Sequence, residues 1–223
     1  MCGRFTLRKD SDALAAHFEV EDVHPIPSRY NIAPTQAIPV IRINLATGRR
    51  ELVTMRWGLS PPWAEPGALR LINARAETLA AKPAFRDALR RRRCLIPADG
   101  FYEWQKLEKS KQPWFIHRKD DRLFAFAGLW ERGNGAQDEP AETCTIITTA
   151  PIPALARLHD RMPAIPSPED YPLWLDPKVN DPAAVSRLLA PPAAETADAL
   201  EMYPVRKTVN WADKDSPECI EAL

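Results

Sequence analysis

Proline is the sequence feature that most limits the folds open to this chain, because 23 of its 223 residues are proline. This is about twice the average usage of roughly 5%. Proline has no backbone N–H and a fixed φ, so it interrupts both helices and the interiors of sheets. The sequence therefore predicts short elements joined by many loops. In the densest run, residues 25–35, it predicts an ordered loop without regular structure.

Between the prolines, most segments have the composition of β-strands. Residues 38–43 and 51–57 are rich in apolar and β-branched side chains and predict a hairpin. Further strands are predicted at 94–97, 100–105, 114–118, 123–130 and 143–149. Many short strands separated by turns predict a mainly antiparallel sheet that is curled or closed like a barrel.

Short helices are predicted around this sheet. Their starts are marked by Ser11, Pro83, Ser167 and Asp181. The arginine run 90–93 follows the second helix and predicts a solvated helix end that is stabilised by the macrodipole. Residues 190–197 have the composition of a surface connection. The predicted fold class is α+β, a single loop-rich and proline-rich domain with short peripheral helices.

The charges balance, with 30 basic and 30 acidic side chains. We therefore expect no partner that is held mainly by bulk positive charge, and any contact with nucleic acid requires a local basic patch. The cysteines form no short pair and the histidines add no ligand cluster, so we expect no disulfide framework, no metal and no other cofactor. The chain has no apolar run near the roughly 20 residues of a membrane span. We expect a cytoplasmic protein with reduced thiols.

The second residue offers a chemistry that no internal position can. Aminopeptidases remove Met1 when the next side chain is small, so the mature chain is predicted to span residues 2–223 and to begin with Cys2. Its α-amine, with an ordinary pKa of about 7.7–8.0, can form a Schiff base with an aldehyde, and its thiol can then close a thiazolidine on the same carbon. The thiol could instead attack a peptide carbonyl. A frayed terminus without function is the third interpretation.

Three further positions carry side chains suited to chemistry. Glu103 lies among aromatic residues, where burial would raise its pKa toward neutrality and suit it to general acid–base catalysis. His159 titrates near neutral pH and can carry protons, and Asn73 can both donate and accept hydrogen bonds. Each position, taken alone, also fits a purely structural role on a strand face or at the surface.

Together these residues resemble the SRAP family, the SOS-response-associated peptidase domain. The similar motifs are Cys-Gly-Arg-Phe at 2–5, Arg-Tyr-Asn-Ile-Ala-Pro at 29–34, Trp-Gly-Leu at 57–59, Asn-Ala-Arg-Ala-Glu-Thr at 73–78, Pro-Ala-Asp-Gly-Phe-Tyr-Glu-Trp at 97–104 and His-Asp-Arg-Met-Pro at 159–163. They follow one another in order, and Val-Arg-Lys-Thr-Val-Asn at 205–210 is similar too. One departure is Trp211, where the family commonly has Asn.

The resemblance implies a single SRAP domain over residues 2–223 that captures abasic sites in single-stranded DNA. An abasic deoxyribose opens to an aldehyde, which is the substrate class that Cys2 suits. By position, Cys2 would supply the amine and the thiol, and Asn73 would orient the sugar or the amine. Glu103 would be the general acid–base, and His159 a second proton carrier. Abasic-site lyase activity and self-removal of Met1 are associated expectations.

The resemblance also implies a groove for phosphates and flanking bases. Its predicted residues are Arg4, Asn31, Pro34, Trp57, Arg75, Thr149, Arg161 and Met162. The expected partner is single-stranded DNA that contains abasic sites, with no membrane and no metal, and we expect a monomer that associates with the nucleoid when bound to DNA. Two alternatives stay open at this point: a thiol peptidase that uses Cys2 as an N-terminal nucleophile, and a single-strand binding module that does not need Cys2.

Overall fold

The computed structural model describes residues 2–21, 23–65, 70–133 and 142–223. The strands in these ranges are β1 Phe5–Leu7, β2 Arg29–Ile32, β3 Ala37–Ile43, β4 Arg50–Trp57, β5 Asn73–Arg75, β6 Arg93–Ala98, β7 Gly100–Lys106, β8 Lys111–Arg118, β9 Phe124–Arg132, β10 Glu142–Thr149, β11 Met162–Pro163 and β12 Leu200–Pro204. The α-helices are α1 Ser11–Phe18, α2 Arg86–Arg91, α3 Pro153–Ala156, α4 Tyr171–Leu175, α5 Pro182–Ser186 and α6 Ala194–Asp198. All are short, as the prolines predict.

Five of the strands close into a barrel. The order β10-β4-β3-β6-β9 returns to β10 through a β9–β10 pairing. The β4–β10 pair is parallel and the other pairs of the ring are antiparallel. The prediction of a curled, mainly antiparallel sheet in a single α+β domain is therefore confirmed. Strands β5 and β11 extend this sheet from the carboxyl end of β10.

A second, five-stranded sheet has the order β12-β8-β7-β1-β2. It places the first strand between β2 and β7, so the start of the chain is held on both sides. The buried Asp99 carboxylate fixes the far end of β1, since it accepts hydrogen bonds from the Thr6 hydroxyl at 2.6 Å and from the backbone N–H of Lys9 at 3.1 Å. One continuous apolar core packs elements of both sheets together.

The local predictions were confirmed in most places and wrong in several. Helix α2 begins at Arg86, three residues after the predicted start at Pro83. Helix α1 has the predicted start, but its N-cap is Asp10, whose side chain accepts from Ala13 N–H. The Ser11 hydroxyl instead bridges to the loop at 24–26. The run 25–35 contains strand β2, because pairing with β1 stabilises an extended segment that its prolines border rather than interrupt. Residues 190–197 include most of helix α6.

The last residue of the arginine run is also not where the sequence predicted. Arg93 belongs to strand β6, and only 4% of it is exposed. Its guanidinium group donates hydrogen bonds to the carbonyl oxygens of Leu89, Arg90, Trp174 and Asp176, and burial lowers its pKa. Arg93 therefore satisfies the carbonyls where α2 and α4 end, which a solvated side chain would not do. In the part of the chain described, no helix is long and apolar enough to cross a membrane.

Candidate active site around Cys2

The register between β1 and β7 positions the start of the chain. Phe5 pairs with Phe101, and Tyr102 N–H donates to the Arg4 carbonyl at 3.0 Å. Continuing this antiparallel register places residue 3 opposite Glu103. Because side chains alternate along a strand, Glu103 lies on the same face of β7 as the core residue Phe101.

Cys2 is fully buried beside Asn73. The Asn73 Nδ2 atom donates to the Cys2 carbonyl at 2.8 Å, and its buried Oδ1 atom has no hydrogen-bond partner among the residues that the structure describes. Burial, together with the nearby Glu103 carboxylate, raises the pKa of the Cys2 thiol. The thiol is therefore protonated at neutral pH. Cys94, Cys144 and Cys219 are free and buried as well.

Glu103 is 3% exposed, and burial raises the pKa of its carboxyl group to about 7. The nearby Asp160 carboxylate adds to this effect. A carboxyl group with this pKa can both give and take a proton near neutral pH.

His159 has a ring nitrogen with two competing contacts. Its Nδ1 atom is 3.0 Å from the backbone nitrogen of Arg161, which donates to it, and 2.8 Å from the Asp160 Oδ1 atom. A neutral ring accepts the Arg161 hydrogen bond, whereas a protonated ring donates to Asp160. Burial lowers the pKa of His159, while Asp160 raises it. Glu103 is close enough to Cys2 to act on its thiol, Asn73 binds the Cys2 carbonyl, and Asp160 both acts on Glu103 and contacts the His159 ring, so the structure brings the predicted catalytic residues together.

Three of the predicted DNA-contact residues reach the surface. Arg75 is exposed at the end of β5, and Pro34 is partly exposed in the turn after β2. The Arg161 side chain is only 12% exposed and forms a two-point ion pair with Glu77, with N–O distances of 2.7 and 2.9 Å. This ion pair lowers the pKa of Glu77.

Arg4 and Asn31 are occupied within the protein. The Arg4 guanidinium group donates to Asn31 Oδ1 at 2.8 Å and to the Val209 carbonyl at 2.7 Å. Asn31 is fully buried, and its Nδ2 atom donates to the carbonyls of Val209, Trp211 and Lys214. These two side chains join β1 and β2 to the segment 209–214, so the structure gives them an internal role; their contact with DNA stays a prediction.

The other three predicted contacts are also buried. Trp57 packs in the core, and its Nε1 atom donates to the Ile72 carbonyl at 2.8 Å. The Met162 sulfur accepts a hydrogen bond from Ile152 N–H. Thr149 lines a cavity of about 650 Å³ between the 3₁₀ helix Ala76–Thr78 and α5. None of Cys2, Asn73, Glu103 and His159 lines this cavity.

The predicted set of contact residues did not include Trp63, Trp114 or Arg157. Trp63 is 63% exposed, whereas Trp57 is buried. The paired prolines 61 and 62, which directly precede Trp63, are the sequence signal that could have separated the two. Trp114 pairs with Glu103 across β7 and β8, and the Arg157 guanidinium carbon lies over its ring. The pairing of Trp114 depends on strand register, which the sequence alone does not give.

The model of the family described as SOS response associated peptidase (SRAP) matches residues 1–212. This chain belongs to the SRAP family. Solved structures share the fold of this SRAP chain. A protein from Bacteroides thetaiotaomicron superposes with a TM-score of 0.86 at 25% identity over the full length of both chains. One from Bordetella bronchiseptica has a TM-score of 0.76 at 27% identity and covers 92% of this chain and 100% of its own.

The SRAP chain also has named relatives in bacteria and vertebrates. YoqW of Bacillus subtilis strain 168 is 46% identical over 229 residues, covers 100% of both chains and is named an abasic site processing protein. YedK of Escherichia coli K12 has the same description and is 31% identical, again over 100% of both. The protein HMCES of Gallus gallus, also so described, is 32% identical over 86% of this chain and 65% of its own.

Proposed function

We propose that this protein processes abasic sites and captures them covalently, in single-stranded DNA, through Cys2. The relatives that match it over their full length are named abasic site processing proteins. The observation that carries the proposal is the position of Cys2, which is held by Asn73 through its carbonyl next to a carboxyl group with a pKa of about 7.

The reaction begins once Met1 has been removed. The unprotonated amine of Cys2 attacks the C1′ aldehyde of the ring-opened deoxyribose and forms a C–N bond. The former carbonyl oxygen takes up protons and leaves as water, which gives the Schiff base. The Cys2 sulfur then bonds to the same carbon, its proton passes to the imine nitrogen, and a thiazolidine closes.

Glu103 and His159 move the protons in this scheme. Protonated Glu103 donates to the departing hydroxyl group, and its pKa of about 7 supplies that form near neutral pH. His159, whose pKa is lowered, is a neutral imidazole able to accept a proton from the amine. The Asn73 Oδ1 atom offers an acceptor to the amine or to a sugar hydroxyl.

The raised pKa of the Cys2 thiol favours this order of steps over a thiol peptidase. A cysteine peptidase needs the thiolate as its nucleophile, whereas the capture scheme begins with the amine and uses the thiol second. The family description includes the word peptidase. Removal of Met1 by the protein itself is the simplest reaction of that kind, and lyase activity could follow from the Schiff base, since an imine assists β-elimination.

The strand would be held by the predicted contact residues that reach the surface and by the exposed Trp63. Arg75 and Arg161 would contact phosphates, while Pro34 and Trp63 would meet bases. Such contacts are typical of single-strand binding without sequence readout.

The test mixes the protein, with Met1 removal checked by intact mass, with single-stranded DNA carrying one abasic site. We expect an adduct that survives heating and a denaturing gel without borohydride. Cys2→Ser should be trapped only with borohydride, because its amine still forms the imine, and Cys2→Ala is the second comparison. Undamaged DNA is the control. If the processed wild-type protein forms no adduct, covalent capture is disproved, and peptide substrates become the next test.

A further inference from the structure

A tryptophan and an arginine that the proposed reaction does not use form a stack beside Glu103. Trp114 is the direct cross-strand neighbour of Glu103. Its Nε1 atom donates to Gln105 Oε1 at 3.1 Å, which fixes the ring orientation, and part of the ring packs against the core. The Arg157 guanidinium carbon lies over the ring, 4.9 Å from its centre.

Arg157 is exposed and follows α3, two residues before His159. The contact that its guanidinium group makes among the described residues is with the indole ring, whereas Arg161 is held by the Glu77 carboxylate. Lys111, exposed at the start of β8, is near enough for its charge to act on His159. This side of the site therefore combines the Arg157 guanidinium plane, which lies on the Trp114 ring, with the positive charge of Lys111.

An abasic nucleotide has no base by which a protein could hold it. To bring its C1′ atom to Cys2, the protein has to hold the neighbouring nucleotides. Guanidinium planes and aromatic rings stack on nucleobases without regard to sequence, and an arginine that already lies over an indole loses little freedom when it does so.

We infer that Trp114 and Arg157 together form a stacking platform for the nucleobase next to the abasic nucleotide. The inference rests on the proposed function and adds a binding site to it. Trp114 holds the Arg157 side chain in place, and the outer face of Arg157 receives the base. The platform holds the strand so that the aldehyde lies at Cys2.

The experiment measures the rate of adduct formation at DNA concentrations below saturation for wild type, Trp114→Leu, Arg157→Ala and the double variant. One substrate has normal bases on both sides of the abasic site. Two others carry a tetrahydrofuran residue, which has neither base nor aldehyde, in place of the 5′ or the 3′ neighbour. We expect each single variant to be about tenfold slower on the normal substrate, and the double variant to be no slower than either. On one tetrahydrofuran substrate the difference from wild type should disappear.

Arg157→Lys separates stacking from charge, since it keeps the charge and loses the plane. We expect it to be as slow as Arg157→Ala. Full activity of Arg157→Lys, or an equal loss on all three substrates, would overturn the inference. Arg49→Ala, in the turn between β3 and β4, is the control for an exposed arginine. Because Arg157 is exposed, its variants do not depend on whether Trp114→Leu folds.

Failure of the proposed function would look different, because the wild type itself would form no adduct with any substrate. In that case the platform is tested by equilibrium binding of an undamaged single strand. Weaker binding by both Arg157→Ala and Arg157→Lys supports it, and wild-type affinity of Arg157→Lys overturns it.

Discussion

The carboxyl groups of Asp99 and Glu103 are four residues apart in sequence and both are buried, yet they have different surroundings. Asp99 ion-pairs with Arg8 and accepts hydrogen bonds from Thr6 and from two backbone N–H groups. Glu103 lies beside Cys2, and burial is the largest influence on its pKa, which is about 7. The first carboxylate therefore anchors a strand, and the second is suited to proton transfer.

Glu103→Gln should slow adduct formation by about 100-fold or more, because a general acid typically contributes a factor of 10²–10⁴. The wild-type rate should also decline above pH 7 as Glu103 loses its proton, and this decline should be missing in the variant. Rates measured from pH 5.5 to 8.5 test both points. Glu108→Gln, in the exposed turn after β7, is the matched control. A wild-type rate in Glu103→Gln would remove Glu103 from the mechanism.

The same substitution should make the protein more stable at high pH. The pKa of Glu103 is higher in the folded protein than its ordinary value of 4.5, so the folded state binds an extra proton between about pH 4.5 and 7. The unfolding free energy therefore falls as pH rises through this window, by about 3 kcal/mol in total. A glutamine side chain does not ionise, so the variant does not lose this stability as the pH rises. Urea unfolding at pH 4.5 and pH 8 measures this. The unfolding free energy of Glu103→Gln, relative to that of wild type, should be higher at pH 8 than at pH 4.5. An equal difference at both pH values would contradict a buried carboxyl group that is protonated in the folded protein.

Asp160→Asn should lower the pKa of His159 further, because the Asp160 carboxylate favours the protonated ring. The ring protons of His159 can be followed by NMR as a function of pH. Asp12→Asn, on the exposed side of α1, should leave that titration unchanged. An unmoved midpoint in Asp160→Asn would mean that the 2.8 Å contact has no electrostatic effect on the ring.

At the scale of elements, Arg93 joins two helix ends to a barrel strand. Its donors reach carbonyl oxygens at the ends of α2 and α4, so both helices depend on one side chain of β6. An unpaired buried carbonyl costs about 1–3 kcal/mol, and several would be left without this arginine.

We expect Arg93→Met to lower the free energy of unfolding by about 3 kcal/mol or more. Arg91→Met, two residues earlier and exposed, should change it by less than about 0.5 kcal/mol. Denaturant unfolding of both variants measures the difference. Equal effects would mean that water replaces the Arg93 hydrogen bonds.

The elements that the sequence predicted well are those with local causes. Apolar and β-branched runs predicted the barrel strands, and the prolines predicted their short lengths. Strand β2 and the burial of Arg93 were missed because both depend on partners distant in sequence, namely β1 and the carbonyls of Trp174 and Asp176. Pairing that is not local overrides a local pattern of prolines or charges.

For the molecule as a whole, Arg4 and Asn31 tie the first strands to the segment 209–214. Asn31→Ala should lower the unfolding free energy by about 2 kcal/mol and speed amide exchange in that segment. The affinity of a Cys2→Ala background for undamaged single-stranded DNA should not change. Arg75 is exposed at the end of β5. Arg75→Ala should therefore weaken DNA binding and leave the unfolding free energy unchanged. Weaker DNA binding with unchanged stability in Asn31→Ala would instead support direct contact.

The sequence indicated a candidate chemistry for the site, but it said little about which side chains of the site are exposed. The resemblance to the SRAP family marked Cys2, Asn73, Glu103 and His159 by position, and the structure places Cys2 beside Asn73 and Glu103. Their catalytic roles stay predictions. The sequence did not tell which aromatic side chains are exposed: Trp57 is buried and Trp63 is not. Exposure depends on how the barrel closes, which no local pattern of residues expresses.

The hydrogen bond from Arg4 to Val209 joins residues that are 205 positions apart. A ribosome adds about 5–20 residues per second, so the front of a growing chain waits roughly 10–40 seconds before this partner exists. During synthesis the first strand lacks this tie to the end of the chain, and a processing enzyme would meet the chain before its fold is complete. In the finished protein Cys2 is enclosed. Trimming of the first residue is therefore easiest while translation is still under way.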